Sequence, residues 1–306
     1  MKSLAQASTL GVDEVEILCS WNGKAEDEQA IQNISGYEFL IAQRDPYHFS
    51  RNMNSLAKKA NGDMILIVND DVIFDVGSID KAIECLLTEP KAGLIGGRLR
   101  DLNFNRLSHA GIVFDHRNSP YHQLDRLVQA DSQTVLGGNK IMPAVTGALM
   151  LIRRQDFLRI LFDESFKVCG EDVRLCLDIR QELGLEVFYC PSFSGIHEGE
   201  GTRKDYEEQQ GNSEDLYRLR VLYREFIDNA SKEQLLNIIN VNRRETSELR
   251  SIISLVKDNA NKDNISLKEQ LSAYENENHS LQLKRISQEA EISRLKKDLA
   301  RLSAKG

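Results

Sequence analysis

Between residues 231 and 305 the chain holds neither glycine nor proline. A stretch that long without a backbone breaker reads as helix. Within it, positions 267, 271, 274, 278, 281, 285, 288, 292, 295, 299 and 302 alternate spacings of three and four. Eight of these eleven are apolar or aromatic: Leu267, Leu271, Tyr274, Leu281, Ile292, Leu295, Leu299 and Leu302. That spacing keeps the side chains on one stripe, the seam of a coiled coil, and Asn278 in the seam is the kind of residue that fixes register at a cost in stability. An earlier stripe, Leu235, Ile238, Leu249, Ile252 and Val256, is one residue out of phase. The polar segment 257–264 between the two predicts a hinge or skip joining two helical pieces. The seam predicts a homo-oligomer formed through residues 267–302. A helical hairpin folded back on the rest of the chain is the alternative.

The preceding residues differ in kind. All five prolines lie there, the last being Pro191. The tail from 231 carries 14 basic and 11 acidic side chains, whereas the whole chain of 306 residues carries 39 and 47, for a net charge of −8. The acidity is therefore concentrated in residues 1–230, and two domains are expected, 1–230 and 231–306. An acidic surface excludes general nucleic-acid binding, which needs phosphate neutralisation. The longest apolar runs are the five-residue Met64–Val68 and Ala148–Ile152 segments, far short of the roughly 20 residues that span a bilayer. The five cysteines, Cys19, Cys85, Cys169, Cys176 and Cys190, form no CxxC pair, so free thiols in the cytoplasm are expected and a zinc site is not. The basic residues Lys296, Lys297 and Arg301 leave open a peripheral position at the inner face of a membrane.

Residues 1–230 alternate strand and helix signals. Residues 14–19, 37–42, 64–68, 93–97, 148–152 and 186–190 read as strands, the last ending at Pro191; 49–60, 79–87 and 173–183 read as helices. The 64–68 run is continuously apolar, as in a parallel strand covered on both faces. The alternation predicts an open α/β sheet, whose ligands bind beyond the carboxyl ends of the strands.

Three polar clusters follow these strands or open a helix. Asn69-Asp70-Asp71 follows the 64–68 strand, where adjacent carboxylates invite a divalent cation held with substrate phosphates, or else form a solvated turn. Glu171-Asp172 opens a helix, as a general base or as a cap favoured by the helix dipole. His197-Glu198-Gly199-Glu200-Gly201-Thr202-Arg203 suits a metal–diphosphate site, or else a polar surface loop.

The order of the segments adds to this. Phe49-Ser50-Arg51-Asn52-Met53-Asn54, Ala60-Asn61-Gly62-Asp63 and the run from Ile65 to Asp71 resemble the approach to a "DXD" motif. Leu107-Ser108-His109-Ala110-Gly111 resembles "QHAG", Val145-Thr146-Gly147-Ala148 with Arg153-Arg154 resembles "TGA-x-x-x-x-RR", and Phe162-Asp163-Glu164-Ser165-Phe166 resembles "FDE-x-F". Glu171-Asp172-Val173-Arg174-Leu175-Cys176-Leu177 resembles "ED-x-D-L-x-L", and His197-Glu198 the terminal His segment. Over roughly residues 1–225 the chain thus resembles the family-2 glycosyltransferases of the GT-A fold, particularly the rhamnosyltransferase-like branch.

The resemblance implies a Rossmann-like mixed sheet flanked by helices, with a coiled-coil tail after it. It implies an inverting, metal-dependent transfer of sugar from a nucleoside-diphosphate donor to a glycan or lipid-linked acceptor in cell-surface polysaccharide synthesis. Asn69, Asp70 and Asn22 would contact the donor, Asp71 and His197 would face Mg²⁺ or Mn²⁺, Asp172 would be the base, Glu171 would support the acceptor, and Ala148 would floor the acceptor pocket. Two departures stand out. Arg174 occupies a place where the family carries Asp, and the family's opening strand has no counterpart, the second strand and its turn corresponding to residues 14–23. A start lying upstream, a strand from another chain, or a catalytically impaired scaffold recruiting partners through its coiled coil would each account for the missing strand.

Overall fold

The computed structural model describes residues 1–197 and 213–303, with side chains of the last helix described to residue 282 and at residue 285. Glu198, Glu200 and Arg203 lie outside the described residues, as do the seam side chains from 288 onward. The elements are α1 (Lys2–Ala7), β1 (Glu16–Ser20), α2 (Ala25–Glu28), β2 (Glu38–Gln43), α3 (Phe49–Lys59), β3 (Met64–Val68), β4 (Val72–Phe74), α4 (Ser78–Thr88), β5 (Ala92–Arg100), β6 (Leu107–His109), β7 (Ile112–Phe114), β8 (Pro120–His122), α5 (Gln133–Leu136), β9 (Lys140–Ile141), β10 (Leu149–Arg153), α6 (Arg154–Ile160), α7 (Glu171–Glu182), β11 (Glu186–His197), α8 (Ser213–Asn229) and α9 (Lys232–Ser303).

The main sheet runs β3-β10-β5-β11-β4, with β6 paired to β5 and β9 to β11. β5 and β11 are parallel, while β10 is antiparallel to both of its neighbours and β4 is antiparallel to β11. This is a mixed sheet flanked by helices. Its faces divide the apolar side chains with period two. On β10, Met150 and Ile152 pack with α3, α6, α7 and α8, whereas Leu149 and Leu151 pack with α1 and α4. Two covered faces explain the continuous apolar runs at β3 and β10. Strand direction does not follow from them, and β3, expected to be parallel, pairs antiparallel with β10.

β1 and β2 form a separate parallel pair. Glu16 at the start of β1 accepts the backbone N–H groups of Asn61 and Gly62, at 2.5 and 3.2 Å, just before β3 begins. Among the described residues, β1 pairs only with β2, and β3 only with β10.

Two segments differ from the sequence expectation. β11 does not stop at Pro191 but continues to His197. Its register on β5 shifts between Cys190 and Ser194, and this bulge absorbs the proline, which cannot donate to a ladder. Of the expected hinge or skip at 257–264, the hinge is absent, because α9 runs unbroken from Lys232 to Ser303, and a skip of phase within one helix remains. Polar residues move the phase of a stripe without breaking a helix that lacks Gly and Pro.

The chain divides into two units, Met1–Thr246 and Ser247–Gly306. The start of α9 is built into the first: Ile238 and Val241 are buried, and Tyr121 Oη donates to Glu245 Oε2 at 2.6 Å. In the second unit Leu267, Leu271, Tyr274 and Leu281 are exposed.

One buried ion pair ties several elements of the first unit together. Arg180 on α7 is fully buried; its Nε donates to Glu186 Oε2 at 2.9 Å, and its guanidinium lies 5.3 Å from the centre of the Phe226 ring on α8. Its backbone carbonyl accepts from Gln234 Nε2 at 3.2 Å. Glu186→Ala strands a buried cation, so urea unfolding should report a loss of about 3–5 kcal/mol.

Candidate functional site

The site begins where β3 ends. Asn69 N–H donates to the Ala148 carbonyl at 3.1 Å, and Val72 N–H to the Asn69 carbonyl at 3.3 Å, which turns the chain at once into β4. β4 then pairs with the last residues of β11, placing His197 opposite Val72. The continuation of β11 past Pro191 is thus what delivers His197 to the Asn69-Asp70-Asp71 segment. His197 Nε2 lies 3.1 Å from Asp71 Oδ1 and 3.4 Å from Asn69 Nδ2. Asp70 is exposed. Burial first, and then the charge of Asp70, raises the Cys19 thiol above its usual range. Asn22, also exposed, follows in the turn beyond β1.

The second part is the N-terminus of α7. Gly170 has φ +104°, and a Cβ there would lie 2.5 Å from Leu219, so glycine is required both by backbone and by space. This entry buries Glu171 and leaves Asp172 half-buried. Asp172 Oδ2 accepts Gly147 N–H at 2.9 Å, and Oδ1 accepts Val173 N–H at 2.7 Å. A carboxylate in the first turn is favoured by the helix dipole. Gly147 allows the close approach, since a Cβ would sit 3.3 Å from both Asp172 and the Phe49 ring. Arg174, the departure from the family pattern, turns away along the helix, where its Nε donates to Asp178 Oδ2 at 2.6 Å.

The two parts share one turn. Gly147 holds Asp172, and the next residue, Ala148, receives Asn69. Asn69, Asp71 and His197 are therefore brought together directly, and Asp172 joins them through Thr146-Gly147-Ala148. His109 reaches the same turn, its Nε2 accepting Thr146 N–H at 3.2 Å. Neither this contact nor His122, whose Nδ1 is 3.1 Å from His109 Nδ1, follows from the motif order. The available signal was the place of His109 within a segment resembling "QHAG", for which the resemblance supplied no role.

Among the described residues no group of three or more His, Cys, Asp or Glu side chains is placed to hold a metal ion. The carboxylate of Asp71 and the imidazole of His197 lie side by side, 3.1 Å apart. A divalent cation that also binds substrate phosphates needs only one or two protein ligands, so this pair fits Mg²⁺ or Mn²⁺ held in that way.

Residues 10–211 match the family model described as glycosyltransferase like family 2. The O-antigen biosynthesis protein RfbC of Myxococcus xanthus is 29% identical over 164 residues, which cover 52% of this chain and 13% of that protein. The chain thus spans about an eighth of that relative's length. Among solved structures, GalNAc-T7 with UDP, GalNAc and Mn²⁺ is similar at a TM-score of 0.47 and 15% identity, over 61% of this chain and 38% of that one. The mannosyltransferase PcManGT from Pyrobaculum calidifontis, in complex with GDP-Man and Mn²⁺, is similar at 0.47 and 13% identity, over 75% and 60%.

Asp172→Ala removes the acceptor for Gly147 N–H and should lower stability by about 1–2 kcal/mol. Asp172→Asn keeps an acceptor oxygen and should lose less than half of that, as read from paired urea unfolding curves.

Proposed function

From the premise that the chain belongs to the glycosyltransferase like family 2 and is a glycosyltransferase, we propose that it is an inverting enzyme using a nucleoside-diphosphate sugar and a divalent cation. The observation that carries this reading is the single turn, Thr146-Gly147-Ala148, that joins Asp172 to the segment bearing Asn69 and Asp71. A base and a diphosphate-binding segment must be held at a fixed separation if an acceptor is to attack the face opposite the leaving group.

In this reading Asp172 takes the proton from an acceptor hydroxyl. The acceptor oxygen forms a bond to the anomeric carbon as the bond to the nucleoside diphosphate breaks, which inverts that carbon. Glu171 supports the acceptor side. Asn69, Asp70 and Asn22 orient the donor, and Asp71 with His197 would hold Mg²⁺ or Mn²⁺. When bound, the cation supplies charge neutralisation to the departing diphosphate. Similarity to an O-antigen biosynthesis protein of Myxococcus xanthus supports a glycan or lipid-linked acceptor in cell-surface polysaccharide synthesis. The free cysteines support placing the reaction at the cytoplasmic side; no described helix is long and apolar enough to cross a membrane.

The test is thermal unfolding of the full chain with UDP, GDP, CDP and dTDP, each with and without Mn²⁺. One nucleotide should stabilise only when Mn²⁺ is present, by about 2.7 kcal/mol at 100 times its dissociation constant. With that donor, Asp172→Asn should keep the stabilisation and lose about 10²–10⁴-fold in transfer rate. Absence of stabilisation by every nucleotide would favour the impaired scaffold.

The exposed stripe of Leu267, Leu271, Tyr274 and Leu281 supports a second copy of the chain as partner of the tail. Light scattering should give a dimer or higher oligomer for the chain, and a monomer for a Leu271→Asp, Leu281→Asp double variant.

A further inference from the structure

His109 is fully buried, and its charged form is disfavoured by burial first and then by the neighbouring His122 and His197. Burial of an imidazole calls for hydrogen-bond partners on both nitrogens. Nε2 accepts two backbone N–H groups, from Gly111 at 3.3 Å and Thr146 at 3.2 Å. Two donors on Nε2 put the ring proton on Nδ1. Nδ1–H then donates to His122 Nδ1 at 3.1 Å, with the two rings edge to face, which makes that nitrogen an acceptor and not a donor to the Ser108 carbonyl 3.1 Å from it. The ring is carried by β6 and held by His122 at the end of β8, and through Nε2 it fixes a peptide in the loop before β10.

That peptide is the one whose neighbours serve the reaction. The residue after Thr146 donates its N–H to Asp172, and the residue after that accepts from Asn69. Thr146 Oγ1 adds one further local tie, accepting Ala148 N–H at 3.3 Å. Rotating the Thr146 peptide would therefore change both ends of the bridge between base and donor segment at once.

We propose that His109 is a positioning residue for transfer: its neutral imidazole holds the Thr146 peptide so that Gly147 presents its N–H to Asp172 while Ala148 stays docked on Asn69. The proposal rests on the reading of Asp172 as the base, and the geometric half of it stands apart from activity. His109 touches neither donor nor acceptor in this scheme and acts only through the turn.

The experiment uses the full chain with two variants. His109→Gln places an amide oxygen near the Nε2 position and keeps an acceptor; His109→Phe keeps an aromatic ring and removes it. Hydrogen exchange, followed by mass spectrometry on peptides covering residues 144–150, reads the turn without any substrate. His109→Phe should speed exchange at these amides by about tenfold or more, the loss of one hydrogen bond, and His109→Gln should restore it to within about threefold. With the nucleotide and Mn²⁺ identified by thermal unfolding, His109→Phe should bind nucleotide as the parent does and lose about 10–100-fold in kcat, again with rescue by Gln. Unchanged exchange in His109→Phe overturns the proposal, as does an equal loss of nucleotide binding and kcat in both variants, which is the mark of a merely structural residue. If the parent chain transfers no sugar, the reading of Asp172 fails instead, and the exchange measurement still decides whether His109 holds the turn.

Discussion

The arrangement of the site depends on one short piece of backbone, the turn entering β10. β10 lies between β3 and β5 and runs antiparallel to both, so the residues before it emerge at the end of the sheet where β3 finishes. Leu149 opposite Val68 fixes that register, and it puts Ala148 beside Asn69. Because register slips move a strand's side chains to the opposite face, the burial of Leu149 and Leu151 on one side and Met150 and Ile152 on the other locks the turn in place. Packing of the sheet thus sets the position of Asp172 through the Gly147 N–H hydrogen bond, which reaches it from outside its own helix.

A second constraint acts from the far side of the sheet. Parallel pairing of β11 with β5 has to survive Pro191, and the register shift before Ser194 allows it. Beyond the shift Ser194 Oγ donates to Asp75 Oδ2 at 2.5 Å, and Asp75 takes both guanidinium nitrogens of Arg100 at 2.6 and 2.7 Å. These bonds hold the Asp75 carboxyl below its usual range despite the opposing effect of burial. They also tie the end of β11 to β4 and β5 just before His197. The imidazole reaches Asp71 because a strand that should have stopped at a proline is carried on by its neighbours.

The legible part of the sequence was what repeats or what is contiguous. The 64–68 run matched β3 residue for residue, and the 49–60 periodicity matched α3 apart from its last residue. The breaker-free tail is helical as expected, because helix depends on local propensity and tail residues need no partner to declare it. Strand direction and the passage of β11 through Pro191 were not legible. Each depends on a neighbouring strand. Asn69, Asp71 and His197 could be named from motif order, and the structure places Asn69 and Asp71 each within hydrogen-bonding reach of His197. The role of Thr146 could not be named, because its backbone N–H, and not its side chain, makes the contact with His109.

The same distinction bears on how an acidic site is tolerated. Asp71, Glu171 and Asp172 lie at the ends of buried elements in the part of the chain where acidity is concentrated. Isolated carboxylates taken out of water are costly, and the described residues offer them few cations. Arg174, three residues after Glu171, is occupied by Asp178, and Arg98 and Arg100 are committed to Asp75. What remains for Asp172 is backbone: the Gly147 and Val173 N–H groups and the positive end of α7. Partial charges fixed in the backbone can stabilise a carboxylate without an ammonium or guanidinium group beside it. Among the described residues, Asp172 is thus held by backbone N–H groups, whereas Asp71 has the imidazole of His197 beside it, which also lies near Asn69. The two carboxylates, named by similar-looking acidic pairs in the sequence, are distinguished by what surrounds them.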